Sequence, residues 1–360
     1  MSEMGRNTSV LTIPRRGAAA VLLCTLGTGA CAQQRTVSTQ GAADTQYELA
    51  IERGRSIVRP LARRGSAIAL AVGVDGRLVW SQGFGRTSRA DGVPVTPAMP
   101  FRIYSLMKPV TAVLALQSAS LGELDLRTSV RRVIPSLPEH YEPVLPLHLL
   151  THSAGVRHYH TPAEAAMTEH CATAAEALPR FIDDPLTGVP GRQESYSTWG
   201  FVLASAVLER AAGVPFDTLL QRRILRPAGM TSTFLEGATG PAAVTYYDVD
   251  ADGRTTETPA LDNSCKMGGG GFVASAEDMV LFYNAVLRGE LVPLAAVQQM
   301  LGGRQTLVAG GSGPGGHAVS RVDLEPGISV VILSNTSGLE QEIALERARD
   351  LLAAVFAPEH

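Results

Sequence analysis

The segment FRIYSLMKPVTAVLALQ, residues 101–117, places Ser105 and Lys108 near the start of an apolar helical run. Lysine is rare in this chain, since Lys108 and Lys266 are the two lysines among 31 basic side chains. Residues three positions apart share one face of a helix, so the Lys108 amine can reach the Ser105 hydroxyl. A desolvated lysine can lose its proton, whereas an arginine cannot. The segment is therefore consistent with a serine nucleophile at the positive end of a helix, with Lys108 as its base. A chance pair on a helix surface is the alternative until other residues support the site.

The composition of the 360-residue chain is that of a globular protein, with 45% hydrophobic and 18% charged residues. The formal net charge is -3 and neither sign forms a long run, which does not favour nucleic acid or an anionic membrane as a partner. We expect no metal or other cofactor, because no Cys/His spacing matches a zinc site and residues 268–271 lack the lysine of a phosphate loop. His158 and His160 are interpreted as polar residues of a surface loop.

The first residues have the order of parts found in an export signal. Arg15 and Arg16 precede an apolar run, residues 17–30, which is too short to span a bilayer. Cleavage at an A-x-A site would leave Gln33 as the first mature residue, whereas a lipoprotein signal would make Cys31 a lipidated N-terminus. We expect an exported protein, periplasmic or secreted, with a lipid anchor at Cys31 as the alternative.

Two cysteines follow the predicted signal, Cys171 and Cys265, at a separation of 94 positions. In an oxidising compartment they could form a disulfide, and buried unpaired thiols are the alternative. The sequence leaves both interpretations open.

The order of the predicted elements indicates the fold class. AIALAVGVDGRLVWSQGFG predicts two strands joined by a turn at Asp75-Gly76, and GISVVILSN predicts a buried strand near the end of the chain. Helical patterns dominate between them, so we predict an α+β protein: an antiparallel sheet flanked by helices, with an inserted, mostly helical lobe. The predicted boundaries are a signal at 1–32, a flexible linker at 33–46 and a domain at 47–360, whose α/β lobe comprises 47–104 and 266–360 and whose helical lobe comprises 105–265.

Several runs along the chain resemble the serine beta-lactamase and penicillin-binding-protein superfamily, in its class C-like branch and closest to the LACTB family. In chain order these runs are DGRLVWSQGFG, PFRIYSLMKPVTAVLAL, LGELDL, LLTHSAGVRHY, DPLTGVPGRQESYSTWGF, TPALDNSCKMGGGGFVASAEDMVLFYNAVL and VVILSN. The resemblance implies a beta-lactamase-like fold and a reaction through an acyl-enzyme.

The resemblance also implies roles for individual residues. Ser105 would be the acylated nucleophile, Lys108 its base partner, and Tyr196 the tyrosine that passes a proton to the leaving group. Thr198 stands where the family often has asparagine, beside the substrate. His152 is interpreted as a structural histidine of its loop.

The third motif of the family, K-T-G or H-T-G on a strand opposite the nucleophile, departs from the pattern here. Alignment from the final strand places Gly311, Ser312 and Gly313 at the motif, which removes the basic side chain. The next residue, Pro314, would then stand at an oxyanion-hole position without an N–H to donate.

A second alignment of the third motif uses His317, followed by Ala318 and Val319, with the N–H of Ser320 as the oxyanion donor. It restores a basic side chain but loses the glycine. The sequence favours the first alignment and leaves the second open.

Two functions follow from these residues. The first is an exported serine hydrolase acting on a small molecule or a peptide: a peptidase, an esterase, a D-Ala-type carboxypeptidase or a beta-lactamase. The alternative is a catalytically impaired relative with a binding or assembly role. Lys266 is interpreted as a loop residue with a positional role, and contact with the substrate is the alternative. The oligomeric state is left open.

Overall fold

The computed structural model describes residues 38–62, 66–237 and 244–358. The predicted signal, 1–32, lies outside the described residues. The strands are β1 Ser38–Ala43, β2 Ile68–Val74, β3 Arg77–Phe84, β4 Phe101–Arg102, β5 Phe234–Leu235, β6 Tyr247–Val249, β7 Thr255–Glu257, β8 Phe272–Ala274, β9 Thr306–Gly313, β10 Gly316–Asp323 and β11 Ile328–Ser334. The helices are α1 Glu48–Ala62, α2 Met107–Ser120, α3 Val130–Val133, α4 Pro146–Leu150, α5 Pro162–Ala165, α6 Thr198–Ala212, α7 Phe216–Leu220, α8 Arg226–Ala228, α9 Ala276–Leu287, α10 Leu294–Met300 and α11 Leu339–Phe356.

Six strands form the main sheet, in the order β1-β3-β2-β11-β10-β9. Every neighbouring pair is antiparallel. The chain therefore builds this sheet from its two ends and places a mostly helical stretch between them, which confirms the predicted fold class. Two small sheets, β4-β8-β5 and β6-β7, lie outside it.

Alternate residues of β2 pack on opposite faces of the sheet. Ile68, Leu70 and Val72 belong to a core shared with α1 and α11. The smaller Ala69 and Ala71 belong to the larger core of the other face, which includes α2, α6 and α9. The central strand is buried on both faces, and α2 begins beside the sheet with its N-terminus near β9.

Local turn chemistry explains two boundaries. Asp75 and Gly76 both have positive φ, at 50° and 69°, as a tight hairpin between β2 and β3 requires. Gly213, with φ of 68°, ends α6 in the left-handed conformation that glycine adopts without strain.

The predicted flexible linker at 33–46 is wrong for its central part. Ser38–Ala43 forms β1, which pairs with β3 through contacts such as Gln40 with Gln82. Polar, small residues suggested a linker, but strand pairing uses the backbone and needs no apolar side chain at the sheet edge. No helix in residues 38–62, 66–237 and 244–358 combines the length and the apolar character needed to cross a membrane.

Candidate active site

Ser105 lies in a single 3-10 turn, Tyr104–Leu106, that leads directly into α2. Tyr104 has a φ of 45°, a conformation that is unfavourable for a residue with a side chain. Its hydroxyl donates to the carbonyl oxygen of Pro314 at 2.8 Å. This bond ties the turn that holds the serine to the hairpin between β9 and β10.

Lys108 lies in the first turn of α2 and is buried, with 5% of its surface exposed. Its Nζ lies 2.8 Å from Ser105 Oγ, 2.7 Å from the carbonyl oxygen of Gly269 and 3.3 Å from Thr198 Oγ1. Burial, followed by the charge of Lys266, holds the pKa of Lys108 well below its ordinary value. A neutral amine here donates to Gly269 and keeps its lone pair for the Ser105 proton.

Tyr196 brings a second titratable group to the same serine. Its hydroxyl oxygen lies 2.6 Å from Ser105 Oγ. The residue stands just before α6, whose first turn is capped by the Ser197 hydroxyl accepting from Gly200 N–H. Burial raises the pKa of Tyr196, against the opposing effect of its hydrogen bonds, so the phenol keeps its proton near neutral pH.

Two histidines pack against the Tyr196 ring. His152 and His158 have ring centroids 4.5 Å and 5.2 Å from it, and their Nδ1 atoms accept the N–H groups of Ser197 and Thr198, each at 3.2 Å. Burial lowers the pKa of each histidine to about 4, so both are neutral acceptors near pH 7. The interpretation of His158 as a surface-loop residue is therefore wrong, because its ring packs inside the site.

The third element of the site is β9, the outermost strand of the main sheet. A Cβ atom on Gly311 would come within 2.7 Å of Ser105 N and 2.5 Å of Ile103 O, so β9 crosses the serine at this glycine. Gly313 pairs with Gly316 across a two-residue turn, so Gly311 and Gly313 direct their N–H groups toward β10. The residue between them, Ser312, directs its N–H toward the free edge, where it lines the same cavity as Ser105.

This geometry corrects both sequence alignments of the third motif. Pro314 occupies the turn beyond β9, so its missing N–H does not face the serine. His317 and Ser320 lie in β10, which is flanked on both sides by β9 and β11. The His317 side chain lines the cavity at Ser105, with its Nδ1 2.5 Å from Ser312 Oγ, as the second alignment expected. The Ser320 hydroxyl bonds to Tyr283 at 2.8 Å. The structure therefore excludes the Ser320 N–H as an oxyanion donor and leaves Ser312 beside the nucleophile.

A family model described as Beta-lactamase matches residues 55–355 of the chain. The chain belongs to the beta-lactamase family. Human LACTB, named a serine beta-lactamase-like mitochondrial protein, is 28% identical over 321 residues, covering 69% of this chain and 58% of its own length. Esterase EstB from Burkholderia gladioli is 29% identical and covers 48% of each chain. The chain thus spans little more than half the length of the mitochondrial relative.

A solved structure supports the same fold for this member of the beta-lactamase family. The D-amino acid amidase from Ochrobactrum anthropi SV3 superposes with a TM-score of 0.74 at 21% identity, covering 85% of this chain and 99% of the amidase. These findings confirm the resemblance to the serine beta-lactamase and penicillin-binding-protein superfamily.

The disulfide left open by the sequence is present in this family member, between Cys171 and Cys265. It fixes the segment Ser264–Gly269, which supplies the Gly269 carbonyl to Lys108 and presents Lys266 to the site. Met267 in this segment has a φ of 40°. Three of the four residues with a side chain and positive φ in the described chain, Tyr104, His152 and Met267, thus surround the site.

Sequence reasoning missed Tyr104 and Gly269. Nothing in the sequence distinguishes a tyrosine forced to positive φ, because the conformation is imposed by contacts with β9. The role of Gly269 depends on its main-chain oxygen, which every residue has. The run of four glycines is a signal of close backbone passage, and a Cβ on Gly268 would clash with the Thr111 hydroxyl.

Proposed function

We propose that this chain is a serine hydrolase that forms an acyl-enzyme on Ser105. The proposal rests on one arrangement: the buried Lys108 amine and the Tyr196 hydroxyl both lie within hydrogen-bond distance of Ser105 Oγ. An amine whose proton affinity is reduced by burial is a competent base for a serine hydroxyl. Carboxylic esters and amides are the proposed substrate bonds, as the names of the related esterase and amidase suggest.

In acylation, the Ser105 proton passes to the Lys108 amine while Oγ bonds to the carbonyl carbon of the substrate. The tetrahedral intermediate then collapses and the C–O or C–N bond to the leaving group breaks. The Tyr196 hydroxyl donates a proton to the leaving group and regains one from Lys108, which becomes neutral again. The products of this half-reaction are the Ser105 ester and the protonated leaving group.

In deacylation, a water molecule gives a proton to the same Lys108–Tyr196 pair and bonds to the acyl carbon. The bond to Ser105 Oγ breaks, and the serine recovers a proton. The acid product leaves and the starting protonation state returns, so no oxidant, reductant or metal enters the balance.

The negative oxygen of each tetrahedral intermediate would accept hydrogen bonds from two main-chain N–H groups, those of Ser105 and Ser312. Ser105 N lies where β9 crosses the turn, and Ser312 N–H points to the free edge of that strand. Donors held in place before the reaction stabilise charge that develops in the transition state. The role expected of the third motif is thus proposed for Ser312.

We propose that the protein is exported. The Cys171–Cys265 disulfide supports an oxidising compartment, in which such bonds persist. The signal predicted for 1–32, and the lipid anchor at Cys31, remain proposals that mass determination of the mature N-terminus would test.

The experiment that tests the hydrolase proposal is covalent labelling of the purified protein with a fluorophosphonate and, separately, with a penicillin, measured by intact mass. We expect one adduct that is absent from Ser105→Ala. The main alternative is a catalytically impaired protein with a binding role, favoured by the absence of any basic side chain in β9. No adduct with either reagent on folded protein would refute the hydrolase and support that alternative.

A further inference from the structure

Two cavities of different character meet at the nucleophile. One has a volume of about 500 Å³ and the other about 400 Å³, and Ser105, Tyr196 and Gly310 line both. A substrate whose carbonyl carbon lies at Ser105 Oγ must therefore extend into both spaces if it fills the site. The chemistry of the two walls defines what each half of that substrate can be.

The smaller cavity contains a buried lysine. Lys266 lines it together with His158, Tyr159 and Thr198, and 5% of its surface is exposed. It is the one lysine or arginine among the described residues that line this cavity. Its Nζ lies 5.7 Å from the centre of the Tyr159 ring, and its main-chain N–H donates to Asn263 O at 2.8 Å, so the side chain is held on a fixed segment.

Lys266 has no ion-pair partner of its own in the described chain. The acidic group that acts on its pKa is Glu236, whose carboxylate is bound instead by Arg102 at 2.6 Å and by the Asn263 amide at 2.6 Å. A buried cation without a partner is costly, and a ligand anion would relieve that cost. The cavity therefore has a built position for one negative charge.

Two carboxylates, those of Glu342 and Glu346, also line this cavity, and Glu342 Oε1 lies 3.9 Å from His317 Nδ1. Neither carboxylate bonds to Lys266 or is among the charges that act on its pKa. Lys266 is therefore the group in this cavity that would attract an anion.

The larger cavity is lined mainly by apolar side chains of α2, α9, α10 and β9, including Leu116, Phe282, Met300 and Leu307. An aliphatic or aromatic group of the substrate would be desolvated there, which favours binding because its apolar surface is removed from water. Arg304, an exposed residue, is the arginine among the described residues that line this cavity.

We propose that the substrate is an N-acyl amino acid, with its apolar acyl chain in the larger cavity and its carboxylate bound by Lys266. The proposal rests on the hydrolase function proposed above and names its substrate class. Ser105 Oγ would bond to the acyl carbon, the amide C–N bond would break, and the amino acid would leave with the proton supplied through Tyr196. Water would then release the fatty or aromatic acid.

The test compares hydrolysis of N-octanoyl-alanine, as a mixture of enantiomers, with that of N-octanoyl-alaninamide, which lacks the negative charge. We expect wild type to favour the acid in kcat/KM by about 10- to 100-fold, the effect of a hydrogen bond to a charged group. In Lys266→Met this ratio should fall to about one. Arg304→Met is the matched control, and its ratio should stay at the wild-type value.

A second measurement applies if Lys266→Met does not fold. Burial lowers the pKa of Lys266 to about 8, with Glu236 acting against this and Arg102 reinforcing it. The acid-to-amide ratio of wild type should therefore decline as the pH rises through 8. Because both substrates use the same Ser105 and Lys108, the titration of those groups cancels in the ratio.

The outcomes separate this inference from the hydrolase proposal. If Ser105 takes the fluorophosphonate but neither alanine derivative is hydrolysed, or both are hydrolysed equally, the substrate class is wrong while the hydrolase stands. A ratio that collapses in Arg304→Met and persists in Lys266→Met would place the carboxylate in the other cavity and overturn the proposal. Failure to label Ser105 would overturn both.

Discussion

The Lys108 amine nitrogen lies 2.8 Å from the Ser105 hydroxyl oxygen, although the serine belongs to a 3-10 turn and the lysine to the helix that follows it. The turn is held by Tyr104 and the amine by the Gly269 carbonyl. Ser105 and Lys108 are thus held in place by separate parts of the fold. The distance between the hydroxyl and the amine is therefore set before a substrate binds.

Lys108→Arg should slow fluorophosphonate labelling of Ser105 by at least about 100-fold, because an arginine stays protonated and cannot accept the serine proton. The measurement is the labelling rate at pH 7, with thermal unfolding as the control for folding. A folded variant that labels within about threefold of wild type would contradict the role of Lys108 as base.

Two variants test the position of the oxyanion donor: one introduces a proline at position 312 and the other removes the proline at position 314. Ser312→Pro removes the N–H that points to the free edge, which a strand edge tolerates, and should slow labelling by about 100- to 1000-fold. Pro314→Ala adds an N–H in the turn, where we expect no gain. A tenfold or greater increase in Pro314→Ala would place the donor at 314 and refute the assignment to Ser312.

Gly311 and Gly310 form a matched pair. A Cβ on Gly311 would meet two main-chain atoms, Ile103 O and Ser105 N, whereas no atom lies within 4 Å of a Cβ on Gly310. Gly311→Ala should lower the melting temperature and displace β9 from the serine, which would slow labelling. Gly310→Ala should fold with the stability of wild type. Equal melting temperatures for the two variants would contradict the close crossing at Gly311.

Acid should destabilise the protein through three histidines, of which His317 is buried and His152 and His158 are half-buried. The pKa values of His152, His158 and His317 are each lowered by burial to about 4, below the ordinary value of 6.5. Between those values the unfolded chain binds more protons than the folded one, so the histidines make the unfolding free energy fall as the pH drops from about 6.5 toward 4.

Urea unfolding from pH 4 to 8 measures this dependence. His158→Asn keeps an acceptor for the Thr198 N–H. It should reduce the slope of unfolding free energy against pH, in the acid range, by the contribution of one proton. His160→Asn, in the exposed loop two positions away, is the matched control. An unfolding free energy that does not change between pH 6.5 and 4.5 would refute the prediction.

Reduction of the Cys171–Cys265 disulfide should destabilise the fold by about 2–5 kcal/mol, since it releases a long loop in the unfolded chain. Labelling of Ser105 should also slow, because the same segment carries the Gly269 carbonyl that holds Lys108. Thermal unfolding with and without reductant measures the first effect. The Cys171→Ala variant, insensitive to reductant, controls for reactions elsewhere. An unchanged melting temperature would contradict a stabilising role.

Local sequence determined a large part of this protein. Turn residues such as Asp75 and Gly76 fix the first hairpin, and Gly213 ends α6, because their backbone conformations depend on the residue itself. The spacing of Ser105 and Lys108 made their contact predictable, since only three positions separate them. The resemblance to the serine beta-lactamase superfamily predicted the fold class. It also indicated Tyr196 as a site residue, and the Tyr196 hydroxyl lies 2.6 Å from Ser105 Oγ.

Tertiary structure alone decided the rest of the site. The Gly269 carbonyl oxygen accepts from Lys108 although the two residues are 161 positions apart in the sequence, and a main-chain acceptor cannot be predicted from side-chain type. The register of β9 could not be inferred, because the half of the strand beside the nucleophile, residues 310–313, consists of glycine and serine. That half has no alternation of apolar and polar residues to fix its faces, and a shift of one residue reverses them. Packing against Tyr104 and pairing with β10 set that register, and with it the N–H of Ser312 that points to the free edge of the strand.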